Sequence, residues 1–402
     1  MINDSKLIDK FSFLVVTVYL TLTVFSSPIK FYLEVKNISW LYYVKDLALL
    51  LILLIYIVKV FITNKILYKG LVLISVLIIS VLVSIFYLNN YIQPLFGIRV
   101  FLPLFCGIII APHFFLNLEK YIKFCTFLLV IIITGVIVNN FVVYPWEFLD
   151  LINLGGIEID ISREWTTGGV RRLAGFSGDS ATASVFILVL YLLVLTYSDN
   201  FKFKVGLFIL SLYGIILTTN KSAILVIVII TFIHLFYKVF KSEYIKSIAI
   251  ASFLLMIMLP LMGSSLISKS LFNTENGVRL YSLQDRIYNH WPETLELIKN
   301  DGSVIFGRGI GGIGTSQAYF ENDKRLAGDN LFLFVYANFG AIGFVLLIWL
   351  MYRTIMLKIS TVHNYYAFLF VSMLFTAGIT TSLFEISIVN LFLGIIVGNR
   401  YK

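Results

Sequence analysis

Along the chain, apolar residues gather into long runs separated by polar breaks, with none of the strict alternation of a half-buried strand. The runs lie near residues 11–27, 41–62, 70–89, 95–112, 121–144, 180–198, 203–218, 222–240, 246–264, 329–352, 361–380 and 383–398. About 20 mostly apolar residues suffice for a helix to cross a bilayer, so the pattern predicts an all-α integral membrane protein with about twelve transmembrane helices. Two breaks are much longer than the others, about 145–179 and about 265–328. The expected organisation is a single polytopic membrane domain over residues 1–402, carrying these two segments as large loops.

Composition agrees with that pattern. The chain is 59% hydrophobic and only 13% charged, with a mean hydropathy of +0.93, whereas roughly a quarter of the residues of a soluble globular protein are charged. The first apolar run is followed by "SSPIK" and further spans rather than by a cleavage site, so no removable signal is expected. Cys106 and Cys125 fall in apolar runs and are read as small hydrophobes. The net charge is +9, but lysines anchoring cytoplasmic loops account for such a balance, and nucleic acid is not implied.

The lysines orient the chain. With the N-terminus in the cytoplasm, the internal connections carry Lys59, Lys65 and Lys69, then Lys120 and Lys123, Lys202 and Lys204, Lys238, Lys241 and Lys246, and finally Arg353 and Lys358. Arg400 and Lys402 also fall inside, so both termini are expected in the cytoplasm and both long loops outside. Arginine behaves differently: Arg99, Arg163, Arg171, Arg172, Arg279, Arg286, Arg308 and Arg325 all fall outside. A planar five-donor guanidinium suits phosphate or carboxylate. These arginines therefore read as anion ligands or as partners of the loops' own acids, Glu158, Asp160, Glu164, Asp285 and Glu293.

"RLAGFSGDS" (172–180) and "RLAGDN" (325–330) each set an arginine shortly before an aspartate, Asp179 and Asp329, at the start of an apolar run. Each aspartate can be a base or a helix N-cap worth about 1 kcal/mol. Ser177 and Ser180 read as caps of the same helix start. In "FGRGIGGIG" (306–314), glycines would let backbone N–H groups approach an anion around Arg308, or would form a flexible surface turn. His113, His234, His290 and His363 are scattered, so no metal site is predicted. Trp146, Trp165, Tyr281, Tyr288, Trp291 and Tyr319 offer flat faces to sugars, or form an ordinary interfacial belt.

Taken in order, "DRIYNHWPETLELIKNDGSVIFGRGIGGIG", then "GDNLFLFVYANFGAIG", and in the first loop "RRLAGFSGDSATAS", the chain resembles the Wzy polymerase and O-antigen ligase superfamily. Two features depart from it. The ligases usually carry histidine where this chain has Asp329, and no arginine here has a glycine eleven residues on, the Arg-x(10)-Gly pattern of some polymerases.

The resemblance implies a membrane glycosyltransferase at the outer face of the bacterial inner membrane, acting without cofactor, metal or nucleotide sugar. Donor and acceptor would be undecaprenyl-diphosphate-linked glycans, joined as repeat units of O-antigen, capsular or exopolysaccharide, with a chain-length regulator and a flippase as candidate partners. Arg171, Arg172 and Arg286, with Arg308, Arg279 and Arg325 behind them, would bind diphosphate. Trp291, Asn330 and Tyr288 would contact glycan, and Asp329 or Asp179 would take the acceptor proton. The alternatives are an O-antigen ligase acting on lipid A core, and a lipid-linked oligosaccharide flippase.

Overall fold

The computed structural model describes residues 2–63, 68–147, 152–154, 157–159, 166–167, 170–237, 239, 242–269, 282–321, 326 and 328–399. Every predicted apolar run lies on helix: α1 (Ile2–Val24), α2 (Ser26–Val35), α3 (Val44–Thr63), α4 (Tyr68–Tyr87), α5 (Ile92–Leu116), α6 (Leu118–Asn139), α7 (Ser180–Tyr197), α8 (Phe201–Leu217), α9 (Lys221–Phe236) and α10 (Ser242–Leu266). The second long break adds α11 (Trp291–Asp301) and α12 (Thr315–Phe320), and α13 (Leu331–Met356), α14 (Val362–Ala377) and α15 (Ser387–Gly398) follow.

Among the described residues, six segments are long and apolar enough to cross a membrane: Ser39–Val58, Ile92–Leu116, Leu118–Asn139, Ser180–Tyr197, Ser242–Leu266 and Leu331–Met356. The pair α1 and α2, bent by 79°, makes a seventh if counted as one span. The chain is thus a helical membrane protein, with fewer helices of full spanning length than apolar runs. The bend illustrates why. Pro28, in the first turn of α2, has no N–H to continue the α1 ladder, and Ser27 turns away to donate from N and Oγ to the carbonyls of Phe176 (3.1 Å) and Ser177 (2.9 Å).

The all-helical expectation is also modified in the first loop. Ile152–Leu154 pairs antiparallel with Ile157–Ile159, and Thr166–Thr167 with Val170–Arg171. These are β-branched segments separated in sequence by Gly155-Gly156 and Gly168-Gly169, the kind of dipeptide that two-residue hairpin loops favour.

The chain divides into two compact units, Met1–Lys69 with Leu102–Thr231 and Ile386–Lys402, and Gly70–Phe101 with Phe232–Glu385. In the first, α7 is apolar on every side and buried along almost its whole length, as a helix without a polar face must be; it packs against α6 and α8. By contrast α3 turns Leu47, Leu50, Leu51 and Leu54 outward, a face suited to lipid. α5 and α15 meet backbone to backbone: a Cβ added at Gly394 would lie 2.1 Å from the Leu104 carbonyl oxygen, the close approach that small residues allow between membrane helices.

In the second unit α10 packs on α13 and α14, and α13 is broken at Gly340 (φ 59°, ψ −148°). The break is filled by another piece of the chain. Ser303 and Gly307 exchange backbone hydrogen bonds of 2.8 and 2.6 Å, forming a tight hairpin that enters the gap. The Ala337 carbonyl, deprived of Ala341, accepts from Arg308 N (2.7 Å), while Ala341 N donates to the Val304 carbonyl (3.0 Å). Both halves of the lost helical bond are repaired by the inserted hairpin. Gly340 lies roughly 14 Å along α13 from Leu331, at 1.5 Å per residue, so the segment predicted as a surface loop follows the helix well past its N-terminal end.

Gly340 combines a left-handed φ with a close approach, since a Cβ there would sit 2.3 Å from the Ile305 carbonyl oxygen. Gly340→Ala is expected to lose about 2 kcal/mol or more of stability, seen as a lowered unfolding temperature in detergent. Gly206→Ala, in α8 where a Cβ would meet nothing within 4 Å, should be neutral or stabilising.

Candidate functional site

The second long loop is helical over the described residues 282–301, interrupted by one π turn, Arg286–His290. Pro292 accounts for the interruption: without an N–H it cannot bond the Tyr288 carbonyl, and the Trp291 N–H reaches back to Arg286 instead. The widened turn carries Arg286 towards the start of α13.

There the guanidinium meets Asp329. Arg286 Nε donates to Asp329 Oδ2 at 3.1 Å and Nη2 lies 3.0 Å from the same oxygen, with the side chains 23% and 37% exposed. Asp329 is not the helix cap that the sequence allowed it to be. Asn330 is the cap, its Oδ1 accepting from Leu333 N (3.0 Å) while Nδ2 donates to the carbonyls of Met256 (2.9 Å) and Ile379 (3.0 Å). Beside Arg286, Asp285 accepts from Asn289 Nδ2 (2.6 Å) and lies 2.8 Å from His290 Nε2.

A residue outside the predicted set completes the cluster. Glu385, on the 3₁₀ turn Leu383–Glu385 ahead of α15, accepts at Oε1 from Thr315 N (2.6 Å) and Oγ1 (2.7 Å), and at Oε2 from Ser382 Oγ (2.5 Å). Burial pushes its carboxyl above the usual glutamate range; the hydrogen bonds oppose that rise, and the negative Asp329 adds to it. Gly314, Gly328 and their neighbours share packing partners: the Cβ position of Gly314 lies 3.1 Å from the Phe334 ring, and that of Gly328 lies 3.3 Å from Phe334 and 3.6 Å from Ile313. Thr315, Asp329 and Glu385 are thereby set around one patch. The sequence signal for Glu385 was its position as the lone acid in the apolar stretch "TSLFEISIVNLFLG", where an ionisable residue marks a functional candidate.

The other predicted residues take different places. Arg308 is 2% exposed, and its guanidinium donates to the carbonyls of Asp301 (3.2 Å) and Gly312 and to Glu321 Oε2 (2.9 Å), so it organises the glycine segment from within. Backbone N–H groups of that segment are likewise engaged: Ile310 with the Ser80 carbonyl (3.3 Å), Gly311 with Asn338 Oδ1 (2.9 Å) and Gly312 with the Gly309 carbonyl (3.0 Å). The glycines serve close packing here, and these N–H groups are not presented to an anion. Trp291 is 0% exposed and Asn330 equally buried, which corrects the expectation of glycan contacts at both. Tyr288 donates its hydroxyl to the Ile267 carbonyl and lies under Lys269 Nζ, 4.9 Å from the ring centroid.

In the first unit Arg171 pairs with Glu147, which also accepts from Asn139 Nδ2 and from Tyr144 N (3.1 Å). Asn139 Oδ1 and Trp146 Nε1 fix Gly175 from its N–H (3.0 Å) and carbonyl (3.1 Å) sides. Arg171 thus braces the chain leading to α7, with Arg172 half-buried beside it. Asp179 caps α7, accepting from Thr182 N and Oγ1, both at 2.7 Å. Arg279 and Arg325 lie outside the described residues, as do Asp160, Arg163, Glu164, Trp165 and Tyr281.

Residues 206–348 match the family model described as O-antigen ligase, consistent with a member of the O-antigen ligase/polymerase superfamily and so with a glycan-processing membrane enzyme. The matched span includes Arg286, Arg308 and Asp329 and ends before Glu385. No curated protein and no solved structure gives a match to the chain.

Burial separates the two arginines energetically. Arg308→Ala would strip a buried ion pair and two carbonyl contacts and is expected to cost about 3–5 kcal/mol. Asp329→Asn, at a part-exposed pair screened by water, should cost less than about 1 kcal/mol. Unfolding of the purified variants in detergent compares the two directly.

Proposed function

We propose that the protein is a polymerase that joins undecaprenyl-diphosphate-linked oligosaccharide repeat units into O-antigen, capsular or exopolysaccharide, at the outer face of the bacterial inner membrane. The observation that carries this reading is the Arg286–Asp329 pair at the head of α13, within the family-matched residues. The growing chain on its diphosphate lipid is the donor, and a hydroxyl of a new lipid-linked repeat is the acceptor. The acceptor oxygen attacks the anomeric carbon, the bond to the diphosphate breaks with its electron pair, and the acceptor proton passes to Asp329. That proton neutralises the carboxylate holding Arg286, and the guanidinium turns its donors to the charge growing on the departing diphosphate.

The description of the matching family favours a second reading, a ligase that moves finished glycan to lipid A core. The two part on a glycan gel. A deletion strain making only single lipid-linked repeats, restored to a ladder by the wild-type gene, supports the polymerase; long polymer left on undecaprenyl diphosphate identifies the ligase. Asp329→Asn is expected to insert normally, because Asn330 and not Asp329 caps α13, and to yield single repeats only. Arg286→Lys should lose most activity although charge is kept, because an ammonium cannot reproduce the planar fork. A full ladder from both variants would remove the pair from the mechanism.

The orientation is tested separately, in a background lacking Cys106 and Cys125. Asn300→Cys, at an exposed position, should react with an impermeant thiol reagent in intact spheroplasts. Lys123→Cys, at a side chain 75% exposed, should react only after permeabilisation. The reverse pattern would invert the topology.

A further inference from the structure

We propose that Glu385 is a positioning residue of this site, whose ionised carboxylate ties Thr315 and the 382–385 turn to the patch where Asp329 and Arg286 work. The inference rests on the reading of Arg286 and Asp329 as the reacting site, and adds a residue beyond the family-matched span.

The geometry is specific. Oε1 takes both polar hydrogens of Thr315, at 2.6 and 2.7 Å, and Oε2 takes the Ser382 hydroxyl at 2.5 Å. Thr315 opens α12 directly after Gly314, whose φ of 83° turns the chain towards the carboxylate. A Cβ at Gly314 would lie 2.3 Å from Oε1, so the backbone approaches as closely as glycine permits. Three donors on one carboxylate favour its charged form, and the packing through Phe334 and Ile313 transmits the position of this turn to Gly328 and Asp329.

The clasp depends on charge, which distinguishes it from a passive brace. The charged group acting on Glu385 is Asp329, itself paired with Arg286; Asp285 and His290 pair with each other on the neighbouring helix. Burial and the Asp329 charge both move the Glu385 titration above that of an exposed glutamate. As pH falls the carboxylate is neutralised early, the Thr315 and Ser382 bonds weaken, and the site loosens.

Three proteins are compared by the rate of lipid-linked glycan transfer in membrane vesicles across pH. Glu385→Gln keeps the shape of the side chain but offers only neutral hydrogen bonds, weaker than those to a carboxylate, and its amide nitrogen cannot accept from Ser382 Oγ, so it should insert like wild type with the clasp loosened and substrate KM little changed. Turnover should fall about tenfold or more, the scale of a misplaced catalytic group, and the acid limb due to Glu385 should vanish. Ser382→Ala removes one donor that stabilises the charged form, so its acid limb should move to higher pH. Wild-type turnover and profile in Glu385→Gln, or an acid limb in Ser382→Ala that stays or moves to lower pH, would overturn the inference. A product of ligase type from all three would sink the polymerase reading and leave the comparison of rates intact.

Discussion

The second unit is organised by the pairing of backbone polar groups along residues 303–314. An irregular segment beside a membrane-spanning helix must find a partner within the protein for each N–H and carbonyl, because hydrocarbon offers none. Here α13 supplies partners by breaking. At the break the Ala341 N–H and Ala337 carbonyl are taken up by Val304 and Arg308, and the Ile342 N–H and Asn338 carbonyl by the Ile305 carbonyl and the Ser80 hydroxyl. Beyond it, Ile310 pairs with the Ser80 carbonyl and the Ser84 hydroxyl on α4, and Gly311 pairs with Gln93 on α5 and Asn338 on α13. These short polar side chains are buried in otherwise apolar helices, where each would be costly without a partner. They and the glycine segment exist for one another.

The same constraint sorts the arginines. A guanidinium enclosed by protein needs carbonyls and a carboxylate to replace its water, and Arg308 has both, in the Asp301 and Gly312 carbonyls and Glu321. Arg171 is matched in a similar way by Glu147. Arg286 differs in being part-exposed, held by one oxygen of Asp329 and a long 3.4 Å bond to the Ser282 carbonyl, an arrangement that an incoming anion can compete with. The arginines of the two long loops thus differ physically: some brace irregular backbone from within, and Arg286 is left part-exposed. Residue type alone does not separate them.

What was legible in the sequence follows from the same distinction. Apolar runs depend on composition over many residues, and each proved helical. The Arg286–Asp329 pairing was partly legible, since both residues stood out, but their contact spans 43 positions and depends on the π turn set by Pro292. The cap was misplaced by one residue because aspartate and asparagine cap about equally well, and only the tertiary pull of Arg286 decides between Asp329 and Asn330. The glycine segment was misread because positive φ and close approach look alike whether the neighbour is an anion or a helix backbone. Trp291 illustrates the limit for aromatics: a ring that could stack on sugar is, at 0% exposure, core.

The carboxylate at 329 has a further consequence for how such a site rests. The ligases that the chain resembles usually carry histidine there, and a histidine that took the acceptor proton would become a second cation beside the arginine. An aspartate reverses that balance. At rest Arg286 and Asp329 neutralise each other, so this arginine pulls less on a passing phosphate than an unpaired one would. In the proposed reaction an anion competing for Arg286 gains its full hold once Asp329 takes the proton, as bond formation proceeds. Because the interaction strengthens as charge develops, it stabilises the transition state more than the bound substrate, and that difference is what accelerates a reaction.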